Sequence, residues 1–399
     1  MNVLKYRQII LTVFLAGMAI FNGLKWTYQF SQAPYKPLDF RTYYSGAQTY
    51  FNHLNPYDKN DLTLNWLRSA NPSFESPKYG VHETVVYAPQ FVWFFWPYQV
   101  FDYDSVKWIQ LFINILSLLI SIWLISKIRT DIPIHLILLA FCAFKGTWFA
   151  LSNGQPMIQI LLIILTAFYL LFVKNYKYLP GILIGICGFK FTFLIPIAIF
   201  LLQQKKYKTF TMISFTVLIL NITAIATSGS PALMLQSWKH NLSTLYNYNH
   251  AFSEFNGLNI INCSSSVVLR YFLDIPTTKI HLIYTSLLLA SSFYCLWILR
   301  RQYEFRLLFV LSLVSFCFGQ HLIYDILFLM TYWILQYDNK KEPLSAWLLV
   351  LTLCLPLSIM ASKIPFIHFV LPIVLLIYTS EAIYSDYRLR RNKDTKNAS

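Results

Sequence analysis

Apolar runs follow one another along almost the whole of this chain, from Ile9–Gly23 to Pro365–Tyr384, and most are separated only by short basic or aromatic stretches. A bilayer core about 30 Å thick is crossed by roughly 20 helical residues. Inside lipid, every backbone N–H and C=O needs a partner from the protein itself. Helices meet that demand segment by segment, whereas a barrel would show alternating segments of about ten residues, which this chain lacks. With 56% hydrophobic and 12% charged residues, against about 25% charged in an ordinary soluble domain, the runs have no single aqueous core to hide in. The expected fold is an all-α polytopic membrane protein.

The formal charge of +15 does not point to nucleic acid, because Lys and Arg sit in short clusters between apolar runs and not as a stripe on one soluble domain. They report topology instead, since short cytoplasmic loops are enriched in Lys and Arg. Lys5 and Arg7 precede a first run that lacks a small-residue cleavage site, so an uncleaved span is expected there. Cys142, Cys187, Cys295, Cys317 and Cys354 lie in apolar runs and only Cys263 in a loop, a pattern that supports neither a disulfide framework nor a zinc site.

Beyond the first span, residues 24–103 form a polar and aromatic stretch too long for an ordinary connection. Within it, Val85–Phe101 carries Pro89, Pro97 and many rings, and is either a full span or a helix lying in the interface. Lying in the interface, it places Lys127/Arg129 and Lys174/Lys177 together on the cytoplasmic side. Spans are expected near Asp104–Ser126, Asp131–Ala150 and Pro156–Val173. Tyr178–Gln204 sits between two basic clusters and is too short for two complete spans. Two partial helices are expected to meet there around Gly188-Phe189-Lys190, near the outer face. Further spans are expected at Thr209–Thr227, Pro276–Leu299, Phe305–Phe318, Leu322–Gln336, Leu344–Ala361 and Pro365–Tyr384. This gives about twelve passes, both termini in the cytoplasm, long outer loops at 24–103 and 228–275, and a basic cytoplasmic tail at 385–399. No internal repeat or separate soluble domain is visible, and 1–399 reads as a single membrane domain.

The stretch Pro37–Tyr50, followed by Asn55-Pro56-Tyr57, puts the carboxylate of Asp39 where the first long loop leaves the membrane, ahead of aromatic and small residues at helical spacing. An Asp before a helix commonly caps it by accepting a backbone N–H, and that plain role stands as the alternative. The order Asp-Phe-x-x-Tyr-Tyr-x-x-Ala over Asp39–Ala47, with Asn-Pro-Tyr after it, resembles the first-loop signature of glycosyltransferase family 87. The resemblance extends from Asp39 to about Asp325. It implies a GT-C-like architecture, a polyprenyl-phosphate sugar as donor, mannose as the hexose moved, and Asp39 as general base with Tyr43 and Tyr44 supporting it. The two-loop layout drawn from charge is similar to that architecture.

Four further features are expected at the same face. Asn153-Gly154-Gln155-Pro156 is an ordinary turn by composition, and the resemblance implies a sugar-binding role for Gln155. Lys190 stands in an apolar block, where a charge costs roughly 2.5–3.5 kcal/mol on insertion scales. It either snorkels or, as the resemblance implies, meets the donor phosphate; Lys145 is a weaker candidate of the same kind. Arg270 follows an Asn/Ser-rich segment and has the fork geometry for phosphate, with an interfacial anchor as the alternative. His321, in Gly319-Gln320-His321, shares a helical face with Asp325 at i, i+4, so that Asp325 is expected to orient it; the family's Ser-Pro before the His is absent here. Asp102-Tyr103-Asp104 has the Asp-x-Asp form of a metal motif but also suits the start of a span, and no metal or cofactor is expected.

The resemblance thus implies inverting transfer to a glycolipid, glycan or protein acceptor at the outer face of the plasma membrane. Polar residues at broken helices also fit a transporter or flippase of lipid-linked sugars, although no two-half repeat is present. A binding or scaffold protein that has lost catalysis is the third class, and the intact Asp39 weighs against it.

Overall fold

The computed structural model describes residues 2–32, 35, 37–68, 85, 87–248, 286, 290, 304–318, 325–337, 344–354 and 370–398, and among them helix is the only regular structure. α1 (Asn2–Gln32) runs well past Gly23, so the first connection begins later than expected. α2 (Leu38–Phe51) and α3 (Lys59–Arg68) follow it. Next come α4 (Phe91–Phe95) and a 3-10 segment, Trp96–Val100. Together these reach about 17 Å, short of the roughly 30 Å of a bilayer core, so Val85–Phe101 is not a spanning helix. Its Phe91, Val92 and Phe95 are buried.

α5 (Tyr103–Ile128) starts where Asp102 accepts the Ser105 N–H at 2.9 Å, a bond that holds this carboxyl below its usual range. Asp104 pairs with Lys107 at 2.5 Å, so the Asp-x-Asp sequence serves as a helix start. At 26 residues, α5 is about 39 Å long, enough to cross. The single span expected over Asp131–Ala150 is instead broken at Phe144, where α6 (Ile134–Ala143) and α7 (Lys145–Ser152) meet at 65°. α8 (Met157–Phe168) runs on as a π-helical turn, Tyr169–Val173. α9 (Leu179–Ile186) and α10 (Phe191–Gln203) are the two expected partial helices, joined by a 3-10 turn, Cys187–Phe189, with Lys190 at the joint. α11 (Tyr207–Ala226), α12 (Pro231–Tyr248), α13 (Glu304–Phe318), α14 (Ile326–Gln336), α15 (Leu344–Cys354) and α16 (Val370–Ala398) complete the described helices.

Among the described residues three helices are long and apolar enough to cross a membrane singly, or four if the bent α6–α7 pair is one span. The expected count of about twelve is not reached there, the other apolar helices being 10–17 residues long, with joints at Asn153–Pro156 and Cys187–Lys190 among the described residues. The span expected at Pro276–Leu299 lies outside the described residues. α9 seats directly on α11 at Gly181 and Gly185. A Cβ on these would come within 2.5 Å of the Thr209 carbonyl oxygen and 2.6 Å of Thr216 Cβ, the close approach that small residues four apart permit.

Basic side chains gather at one end of the bundle. The Arg129 guanidinium donates to the carbonyls of Ile334, Leu335 and Tyr337 at 2.9, 2.6 and 2.7 Å, closing the C-terminus of α14. Asp131 accepts from the same guanidinium, which holds its carboxyl below the usual range. Arg306 reaches Gln336 at 3.2 Å, and the Lys206 ammonium lies 5.5 Å from the Phe172 ring centroid. The site described next lies at the opposite ends of α8, α10 and α14.

Candidate active site

Asp39 stands in the first turn of α2, whose N-cap position is taken by Pro37 and has no side-chain cap. The plain capping role is therefore not the one observed: the Asp39 carboxylate accepts through Oδ2 from the Gln155 side-chain N–H. Two features bring these residues together. Phe40 N–H donates to the Asn153 carbonyl at 3.1 Å, and Gly154 adopts φ +65°, where a Cβ would stand 2.7 Å from both Phe40 Cβ and Pro37 Cβ. Gly154→Ala is accordingly expected to cost about 1–2 kcal/mol from the left-handed backbone alone and to push α2 off the turn. A lower melting temperature together with weaker transfer would show this, and an unchanged melting temperature would contradict it.

The Gln155 turn is held from below by amide side chains inside the bundle. Gln110 donates to the Gly154 carbonyl and Asn114 to the Gln155 carbonyl, both at 3.0 Å. Gln159 ties the pair together, donating to Gln110 Oε1 at 2.8 Å, to Asn114 Oδ1 at 3.2 Å and to the Tyr98 hydroxyl at 3.1 Å. The Lys190 joint is built the same way. Gln90 Nε2 donates to the carbonyls of Gly185 and Ile186 at 3.0 and 3.2 Å, Asn221 steadies Gln90 at 2.8 Å, and Ala88 N–H reaches the Phe189 carbonyl at 3.2 Å. At the α6–α7 break, Asn22 donates to the Ala143 carbonyl at 2.7 Å and Trp148 to that of Cys142 at 2.6 Å. Each break frees backbone carbonyls that lipid cannot satisfy, and a side chain from elsewhere supplies the missing donor.

Lys190 is buried and pairs with Asp325 Oδ1 at 2.7 Å; it also points an N–H at Met157 Sδ at 2.7 Å, and its ammonium lies 5.6 Å from the Tyr87 ring centroid. A buried charge costs several kcal/mol unless paired and hydrogen-bonded, and this one is both. Tyr43 joins the two halves, with its hydroxyl 3.3 Å from Gln155 Oε1 and 3.0 Å from the Tyr87 hydroxyl.

Of the residues singled out from sequence, Asp39, Gln155 and Tyr43 are thus connected to one another and to Tyr87, and the Lys190–Asp325 pair stands beside the Tyr87 ring. Tyr44 turns away and donates to the Phe101 carbonyl at 2.8 Å. Lys145 sits at the α6–α7 break, half-buried. Arg270 and His321 lie outside the described residues, and the Asp325 carboxylate expected to orient His321 holds Lys190. Sequence reasoning missed Tyr87, Gln90, Gln110, Asn114 and Gln159, as well as Arg41, a buried cation 5.3 Å from the Tyr103 ring centroid. Gln110 and Asn114 did carry a signal: two amides at i, i+4 inside a span are expensive enough to imply a purpose. Tyr87 carried none.

Long apolar helices, with other apolar helices broken around a half-buried carboxylate and a paired, buried cation, are those of a membrane protein. A model of glycosyltransferase family 87 matches residues 86–330, more than half of the chain, and the chain belongs to that family. It is therefore a membrane glycosyltransferase. The matched region includes Gln155, Lys190 and Asp325 and begins after Asp39. No curated protein and no solved structure matches the chain.

Proposed function

We propose that this glycosyltransferase moves a hexose, mannose in the first instance, from a polyprenyl-phosphate donor to a hydroxyl of a glycolipid, glycan or protein, with inversion at the anomeric carbon. The acceptor oxygen bonds to C1 as the C1–O bond to phosphate breaks. The acceptor's proton passes to Asp39 and the electron pair leaves with the phosphate. The observation that carries this reading is the joining of Asp39, through Gln155 and Tyr43, to Tyr87, whose ring lies beside the Lys190 ammonium. A base and a cation for the leaving group are the two things such a displacement needs. Met157 sulfur is a weak acceptor, so a phosphate oxygen that takes its place on Lys190 gains a charge-assisted bond. Arg270 and His321 are assigned to the same donor headgroup.

The basic end of the bundle belongs in the cytoplasm by the positive-inside rule, which sets both termini inside and the site toward the outer face. A lipid tail held in the bilayer at about 0.8 kcal/mol per buried CH₂ brings the headgroup to the helix joints laterally. The test supplies the protein in nanodiscs with radiolabelled polyprenyl-phosphate mannose or, separately, GDP-mannose, together with a total membrane-lipid and glycan extract. Labelled product from the lipid-linked donor only, with inverted configuration, is expected; product from the nucleotide sugar only would overturn the donor class.

A further inference from the structure

Tyr87, Tyr43 and Gln155 form a run of hydrogen bonds that ends on the Asp39 carboxylate and begins beside the Lys190 ammonium, and proton counting leaves it one direction. Gln155 Oε1 only accepts, so the Tyr43 hydroxyl gives its one proton there, at 3.3 Å, and receives from Tyr87, at 3.0 Å. The amide orientation of Gln155 is set from the other end, because Asp39 Oδ2 only accepts and so must face the N–H side. Every bond thus points from Tyr87 toward the anion, and bonds arranged head to tail polarise one another.

Tyr87 is held for this position by elements far apart in the chain. Tyr57, the ring of Asn55-Pro56-Tyr57, is buried and donates its hydroxyl proton to the Tyr87 carbonyl at 2.7 Å. Asn241 fixes that loop by donating to the carbonyls of Tyr57 and Val85 at 3.0 and 3.2 Å. The Tyr87 ring stacks on Tyr43 at 5.1 Å and 28°, meets Phe189 edge-on at 5.5 Å, and has the Lys190 ammonium 5.6 Å from its centroid. Ring packing alone would be served as well by phenylalanine; only the hydroxyl completes the link.

We infer that Tyr87, acting with Tyr43, is a positioning residue: a directed hydrogen-bond chain, Tyr87 to Tyr43 to Gln155, that sets where the Asp39 carboxylate stands. The inference rests on Asp39 being the base. It reaches beyond that reading by making the base dependent on two tyrosine hydroxyls, the farther of which belongs to a ring beside the cation at the leaving-group side.

The experiment compares wild type, Tyr87→Phe, Tyr43→Phe, the double Phe variant and Asp39→Asn in nanodiscs, with polyprenyl-phosphate mannose or polyprenyl-phosphate glucose and the same membrane extract. Each single Phe variant is expected to lose about tenfold in kcat, the scale of one hydrogen bond to a charged network. KM for the donor and the melting temperature should stay near wild type. The double variant should lose no more than the worse single, since both break one chain. Wild-type kcat in both singles, losses that multiply to about a hundredfold, or a loss expressed in KM would each overturn the chain. Should Tyr87→Phe not fold, kcat in folded Tyr43→Phe decides. No transfer by the wild type from either donor, or full transfer by Asp39→Asn, would sink the functional reading instead, whereas an inactive Asp39→Asn beside normal Phe variants sinks only the chain.

Discussion

Asp39→Asn is expected to lower transfer by roughly 10²–10⁴-fold, the usual contribution of a positioned general base, while the protein melts where the wild type does. The substitution keeps size and shape, and the Asn carbonyl still accepts from Gln155, so the contact between α2 and the Gln155 turn survives. What disappears is an oxygen able to take the acceptor's proton. Donor affinity should hold, because the proposed phosphate contacts lie on Lys190 across the site. Single-turnover transfer and donor binding, measured on the same nanodisc preparation, separate these effects. Transfer at the wild-type rate would remove Asp39 from the chemistry.

Lys190→Met is expected to be the most destabilising single change, at about 3–5 kcal/mol. The side chains of Lys190 and Asp325 are only 8% and 4% exposed, and the substitution leaves the Asp325 carboxylate buried without its cation. Asp325→Leu should be costly for the mirror-image reason. Replacing both, as Lys190→Met/Asp325→Leu, removes both desolvation penalties and should bring the melting temperature back toward wild type, since an apolar pair of similar volume often matches a buried ion pair. Transfer should not return with it, because the cation for the leaving phosphate is gone. A double variant that is stable and active would leave the pair a structural role only; a double variant as unstable as Lys190→Met would show that the two side chains are not energetically coupled.

Much of the helical layout was legible because apolar length is a local property. The runs that became α1, α5 and α11 are long and uniform, and the joints at Asn153–Pro156 and Gly188–Lys190 announce themselves through Gly, Pro and a charge. The Val85–Phe101 alternative was not resolvable in the same way: its apolar length suits a span, but Pro89 and Pro97 leave only a short α4 and a 3-10 segment. The single span read over Asp131–Ala150 is bent by 65° at Phe144, beside Lys145 and Gly146, and Asn22, 121 residues from Ala143, supplies a donor at the break.

The site divides along the same line. By itself the sequence determined an all-α membrane protein and the helix joints at Asn153–Pro156 and Gly188–Lys190, because residue type and apolar periodicity are read one segment at a time. Only the tertiary structure decided that Asp325 serves Lys190, that Tyr44 faces away while Tyr43 faces in, and that Tyr87 stands beside both Tyr43 and the Lys190 ammonium. It also decided which amides hold each break open. The reason is that a buried polar group must find a partner wherever the fold brings one, and those partners come from helices distant in the chain, whose approach no local pattern encodes.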